Sequence, residues 1–162
     1  MENNLIRVGM AEMRTGYPPE RLTAIGLGSC VGVILYDKYF TIAGLVHIIL
    51  PMSKGNMATQ NACKFADTGI CFLLNDLIKR GAKRENIYSK IAGGSQMFTL
   101  KSNNDMLKIG ERNIEAVKST LDFLKIEIQA EDVGGNYGRT IDFDIESGIL
   151  RVKTIGFGEK IL

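Results

Sequence analysis

The chain has 162 residues, 45% hydrophobic and 23% charged, and its 20 Lys and Arg against 18 Asp and Glu leave a formal net charge of +2. That is one domain's length with material for a core, and so small and scattered a charge carries no electrostatic footprint for nucleic acid or for an anionic membrane. No apolar run approaches a membrane span and no signal-peptide block opens the chain. Cys30, Cys63 and Cys71, an odd number, read as free thiols in a reducing, cytoplasmic setting.

An opening strand is expected over residues 5–13, "LIRVGMAEM". After Pro18 and Pro19, the β-branched apolar segments 31–36 and 41–50 read as strands, the second closed by Pro51. Over 58–80, Ala62, Ala66, Ile70, Leu73, Leu74, Leu77 and Ile78 recur at helical spacing, and Lys79, Arg80 and Gly81 form a stop signal. "NIYSKIAGG" reads as a strand entering a glycine-rich turn, and Ile114, Val117, Leu121 and Leu124 mark a second amphipathic helix. Three strands follow, "IEIQAED", "RTIDFDI" and "ILRVKTI", divided by the turn clusters "GGNYG" and "ESG". With no repeat or linker, the whole chain reads as a single α+β domain.

The stretch "GLGSC" ends at Cys30, and the sole histidine, His47, lies on the next strand. A hairpin turning at 37–40 and centred between Lys38 and Tyr39 would set Cys30 directly opposite His47, Gly32 opposite Leu45 and Val31 opposite Val46. Opposed side chains share a face with Cβ atoms about 4.5–5.5 Å apart, within reach of a sulfur-to-imidazole hydrogen bond. Gly32 would leave a notch beside the pair, and Gly26 and Gly28 would allow close approach of a substrate. A cysteine of ordinary pKa, ~8.5, is mostly thiol at neutral pH, and a neighbouring imidazolium or a turn rich in N–H groups favours the thiolate. Such a thiolate could attack an amide carbonyl, with the amides of Ser29 and Cys30 stabilising the oxyanion and His47 protonating the leaving nitrogen.

Each residue also has a simpler account: Cys30 as a small buried residue, His47 as a satisfied core group. A zinc site of Cys30, Cys63, Cys71 and His47 lacks any Cys-x-x-Cys pair, and "GLGSCVG" lacks the elements of a P-loop. Asp67 and the acids of "AED" and "DFD" read as solvated charge, and "AGGSQMF" and "EDVGGNYGRT" as turns that could instead line a pocket.

The ordered set "GLGSCVGVILYD", "AGLVHIILP", "KFADTGI", "IAGGSQMF", "KIGERN" and "EDVGGNYGRTIDF" resembles the CheD family, the chemoreceptor glutamine deamidases, from about residue 8 to 158. The resemblance implies packed mixed β-sheets flanked by helices, like those of toxin-type cysteine deamidases, and a thiol hydrolase that needs no cofactor. Its nucleophile would be Cys30 and its histidine His47. Its partners would be the cytoplasmic helices of chemoreceptors and the CheC phosphatase, with no nucleic acid and no membrane insertion. The family often carries a threonine that supports the histidine at the position held here by Ala24. Thr23, one residue earlier, is the tentative third member, and strand alternation points it to the other face unless the backbone bulges. A second reading is an adaptor that stimulates CheC with little hydrolase activity; a third is a peptide-bond hydrolase.

Overall fold

A computed structural model describes residues 4–54, 61–97 and 108–162. Its strands are β1 (Leu5–Arg7), β2 (Met13–Gly16), β3 (Arg21–Leu27), β4 (Val31–Asp37), β5 (Ile42–Ile48), β6 (Ile87–Gly93), β7 (Glu127–Val133), β8 (Arg139–Asp144), β9 (Ile149–Thr154) and β10 (Gly158–Ile161). Helices α1 (Ala66–Lys79) and α2 (Ile109–Phe123) flank β6 in the chain. Two five-stranded sheets form, one in the order β1-β3-β8-β9-β10 and the other β2-β5-β4-β6-β7. Both are mixed, since β1 runs parallel to β3 and β6 parallel to β7. This is the α+β arrangement expected.

The near-continuous apolar runs of β4 and β5 are explained by burial on both faces. Ile34, Leu45 and Ala43 pack against Leu22, Ile141 and Phe143 of the first sheet. Val33, Leu35 and Val46 pack instead against Ile70, Leu73 and Leu77 of α1 and Val117 and Leu121 of α2. The layers are therefore sheet, sheet and helices, with the β4–β5 hairpin in the middle. By contrast β8 alternates strictly, burying Arg139, Ile141 and Phe143 on one face only.

The expected first strand over 5–13 is two strands in different sheets, and residues 8–12 cross from one sheet to the other, with Ala11 at φ +57°. The expected helix over 58–80 begins at Ala66; Ala62–Lys64 forms a separate short turn in which Asn61 caps the Cys63 N–H, and residues 55–60 lie outside the described residues. β10 had no counterpart among the expected strands, because "GEKI" lies at a sheet edge with every residue exposed and carries no apolar pattern.

The hairpin register also differs from expectation. Asp37 pairs with Ile42, Val33 with Val46, Gly32 with His47 and Val31 with Ile48, a shift of two residues. The loop has four residues because the Asp37 carboxylate gathers the N–H groups of Tyr39 and Phe40, at 3.0 and 3.2 Å, and Thr41 adopts φ +47°. A two-residue shift preserves the face of every side chain, whereas one residue would have inverted them. Cys30 and His47 therefore remain on the same face as diagonal rather than direct neighbours. Nor is Gly32 an open notch: a Cβ there would lie 2.7 Å from Ile141 Cδ1, because the first sheet fills the space.

Candidate active site

His47 sits near the end of β5, 3% exposed, on the face that meets the first sheet. Its Nδ1 lies 3.2 Å from the carbonyl oxygen of Val8. A carbonyl only accepts, so this contact places the proton on Nδ1 and leaves Nε2 with a free lone pair. Nε2 is buried and has no hydrogen-bond partner among the described residues. Burial pushes the His47 pKa below its ordinary value, against the opposing effects of the Val8 carbonyl and the Glu12 charge. The resting imidazole is thus a neutral base with one position open.

The chain crossing between the sheets makes this contact possible. Val8 follows β1, and its N–H donates to the Thr23 carbonyl at 2.8 Å while its own carbonyl turns toward the ring. Across the same crossing, Ala11 N–H donates to His47 O and His47 N–H to Glu12 O, both at 3.0 Å. The ring is oriented by backbone, which no residue type advertises in a sequence.

Thr23 keeps its strand register opposite Asp142, and the irregularity in β3 comes after it, between Ala24 and Leu27, where Gly26 stands at φ +67°. Its hydroxyl donates to Ile141 O at 2.6 Å. The side chain is therefore spent within the first sheet, and Thr23 reaches His47 only through its backbone carbonyl and Val8. Ala24 faces the sheet interface with Cys30, so the position where the family often has threonine presents only a methyl group.

Cys30 immediately precedes β4 and packs in the sheet interface, 9% exposed. Burial raises its thiol pKa, offset in part by the hydrogen bond of its own amide N–H. The three carbonyls leading through Cys30 are each taken: Gly28 O by Ser95 N–H and Cys30 O by Gly94 N–H, both at 2.8 Å, and Ser29 O by Asn113 Nδ2 at 2.9 Å. In a trans peptide the C=O and the following N–H point opposite ways. Pinning the carbonyls of 28 and 29 toward "GGS" and α2 therefore turns the amides of Ser29 and Cys30 the other way, and among the described residues neither donates to a backbone carbonyl, the Cys30 N–H facing its own sulfur. These are the two amides expected to hold an oxyanion.

The "AGGS" segment is thus more than a turn. Gly93 stands at φ +116°, and a side chain there would run into the Cys30 carbonyl. Below it Arg139, 1% exposed, donates to Ser95 Oγ at 3.0 Å, lies 3.4 Å from Asp132 and stacks over the Tyr137 ring. Arg139 pairs with Leu27 across the first sheet, so it links the "GLGS" strand to the "GGS" turn. A buried arginine at an inward position of an alternating strand was the signal available for it.

The remaining candidates lie elsewhere. Cys63 packs on the helical side of the second sheet and Cys71 lies on α1, across the sheet from Cys30. Among the described residues no cluster of three or more His, Cys, Asp and Glu is placed to hold a metal. Asp67 accepts from the Ser53 amide and hydroxyl, Asp142 pairs with Arg21, and Asp144 caps the turn at 146 and 147. A groove of about 580 Å³ is lined by Leu50, Met52, Lys64, Phe65, Ile109 and Arg112; neither Cys30 nor His47 lines it. No helix among the described residues is long and apolar enough to cross a membrane.

Residues 49–154 match the family model described as CheD chemotactic sensory transduction. That segment begins beyond His47, but relatives span the whole chain. The probable chemoreceptor glutamine deamidase CheD of Caldanaerobacter subterraneus subsp. tengcongensis is 53% identical over 162 residues, covering 100% of both chains. The protein of the same name from Lachnoclostridium phytofermentans is 51% identical over 156 residues, 96% of this chain and 97% of its own. The chemoreceptor glutamine deamidase CheD of Halalkalibacterium halodurans is 50% identical over 159 residues, 98% of each. With half of its residues shared from end to end, and a family model over its helices and later strands, this chain belongs to the CheD family.

Proposed function

We propose that this protein deamidates glutamine side chains of chemoreceptors to glutamate, with Cys30 as nucleophile and His47 as general base and then general acid. The observation that carries the reading is the pairing of a thiol with an imidazole on one buried face, the imidazole tied at Nδ1 and open at Nε2. Because burial disfavours both charged forms, the resting pair is thiol and neutral imidazole. His47 Nε2 takes the Sγ proton as sulfur bonds to the glutamine δ-carbon, and the carbonyl electrons move onto oxygen beside the Ser29 and Cys30 amides. The imidazolium then protonates the amide nitrogen, which leaves as ammonia, and a thioester remains. Water attacks the thioester, giving a proton to His47; collapse releases glutamate and returns the proton to sulfur.

Diagonal strand neighbours stand roughly 7–8 Å apart, so the pair closes by side-chain movement when substrate arrives, as resting catalytic contacts often do. The Val8 carbonyl, rather than the Thr23 hydroxyl, serves as the orienting third member. The receptor helices set a cytoplasmic location, and the family resemblance adds a CheC-type phosphatase as second partner. The test is to incubate wild type and Cys30→Ala with a chemoreceptor signalling-domain fragment and map conversion by peptide mass spectrometry. Conversion by wild type alone supports the reading; conversion by both, or by neither across several receptors, defeats it.

A further inference from the structure

Asn113 lies on the buried stripe of α2, one helical turn before Val117, where the pattern calls for an apolar side chain. It is fully buried, and its Nδ2 donates to two carbonyls, Ser29 O at 2.9 Å and Ile49 O at 2.8 Å. Two acceptors fix which end of the amide is nitrogen. Its Oδ1 is buried and has no partner among the described residues. A polar side chain thus takes an apolar position of the helix and turns its donors on two carbonyls, a local departure of the kind that gathers at functional sites.

The two carbonyls are informative. Ser29 O belongs to the same peptide plane as the Cys30 amide, and Ile49 lies two residues beyond His47. The paired register of β4 and β5 ends at Val31 and Ile48, just short of both. One side chain therefore clamps the hairpin past its last strand pair and sets the plane of the peptide bearing the nucleophile's N–H. The helix can come so close because position 110 is glycine: a Cβ there would collide with the carbonyls of Gly94 and Ser95. Gly110 and Asn113 are one turn apart on the same face, so docking of α2 on the "GGS" turn delivers the amide to Ser29.

We infer that Asn113 is a positioning residue for the deamidation reaction: it holds the Ser29–Cys30 peptide so that the Cys30 N–H meets the oxyanion. The inference rests on the thiol-hydrolase reading above, and its test separates the two. Alkylation of Cys30 by iodoacetamide needs the thiolate but forms no oxyanion; acylation by p-nitrophenyl acetate needs both, and neither needs a receptor. The variants are Asn113→Leu, similar in size with no donor, and Asn113→Gln, which keeps the donors on a longer stem. Both rates are read at Cys30 by mass spectrometry on folded protein.

For Asn113→Leu, acylation falls at least tenfold relative to alkylation. On a receptor fragment kcat falls by about a hundredfold, the scale of one lost oxyanion donor, with KM little changed. Asn113→Gln recovers part of the loss. Acylation and alkylation falling together, or an unchanged ratio in Asn113→Leu, overturns the inference. A wild type that acylates at Cys30 but converts no receptor glutamine defeats the substrate reading and leaves the ratio to decide on Asn113.

Discussion

Gly93→Ala tests how firmly the backbone of Cys30 is boxed in. Gly93 stands at φ +116°, and an added Cβ would overlap the Cys30 carbonyl oxygen. That oxygen cannot swing aside freely, since it also accepts the Gly94 N–H at 2.8 Å. Two costs combine: about 1–3 kcal/mol for a non-glycine residue in this backbone region, and about 1–3 kcal/mol for an overlap relieved only by moving backbone. Gly81 supplies the control, with φ +108° and nothing within 4 Å of an added Cβ. Central values give about 2 kcal/mol for Gly81→Ala and about 4 kcal/mol for Gly93→Ala. At about 2–4 °C per kcal/mol for a chain of this size, Tm falls by roughly 4–8 °C and roughly 8–16 °C respectively. Thermal unfolding followed by circular dichroism reads the difference, and Cys30 alkylation at a temperature where both variants are folded reads the site. Equal Tm losses, or wild-type alkylation and conversion in Gly93→Ala, would refute the argument that this glycine exists for the Cys30 carbonyl.

In the proposed mechanism His47 is a neutral base whose pKa is depressed, so the acid limb of kcat/KM should lie below the ordinary value of 6.5, where the ring protonates; an acid limb above 6.5 contradicts this. Stability follows the same group: the unfolded chain takes up the proton near 6.5 while the folded chain resists it, so stability is full above 6.5, declines as pH falls and levels off below the folded pKa. His47 is the sole histidine, so urea unfolding of His47→Gln should show that slope reduced. Thr23→Val removes the buried bond to Ile141 O and should cost about 1 kcal/mol with conversion near wild type; a hundredfold loss of kcat would make the hydroxyl catalytic. Arg139→Met strips donors from Ser95 and Asp132 and should cost about 3 kcal/mol in urea unfolding and slow conversion, since Ser95 holds the Gly28 carbonyl. Unchanged kinetics would show that the Gly93–Ser95 turn stands without it.

The elements most legible in the sequence were those with one strong period: the stripe from Ala66 to Leu77, the alternation of 139–144, and the doubly buried runs of β4 and β5. Cys30 and His47 stood out by residue type, and their shared face survived an error in the turn because that error was an even number of residues. What escaped was carried by the backbone or by partners distant in the chain. The four-residue loop depends on a carboxylate folding back on its own turn, and the split of residues 5–13 depends on which sheet each half joins. Val8 acts on His47 through a carbonyl that any residue would possess. Asn113 and Arg139 did leave a trace, as polar side chains on otherwise apolar faces, but their targets became visible only when α2 and β8 were set against the segment around Cys30.

The crossing at residues 8–12 has a consequence for the order in which the molecule becomes reactive. Cys30 leads into the second sheet and His47 lies on it, and their hairpin is complete early in the chain, yet the carbonyl that aims the imidazole follows β1, in the sheet that also needs β8, β9 and β10. A chain still emerging from the ribosome can hold thiol and imidazole side by side while the strands that steady the aiming carbonyl are unmade. The imidazole is aimed only once the last quarter of the polypeptide has joined the first sheet.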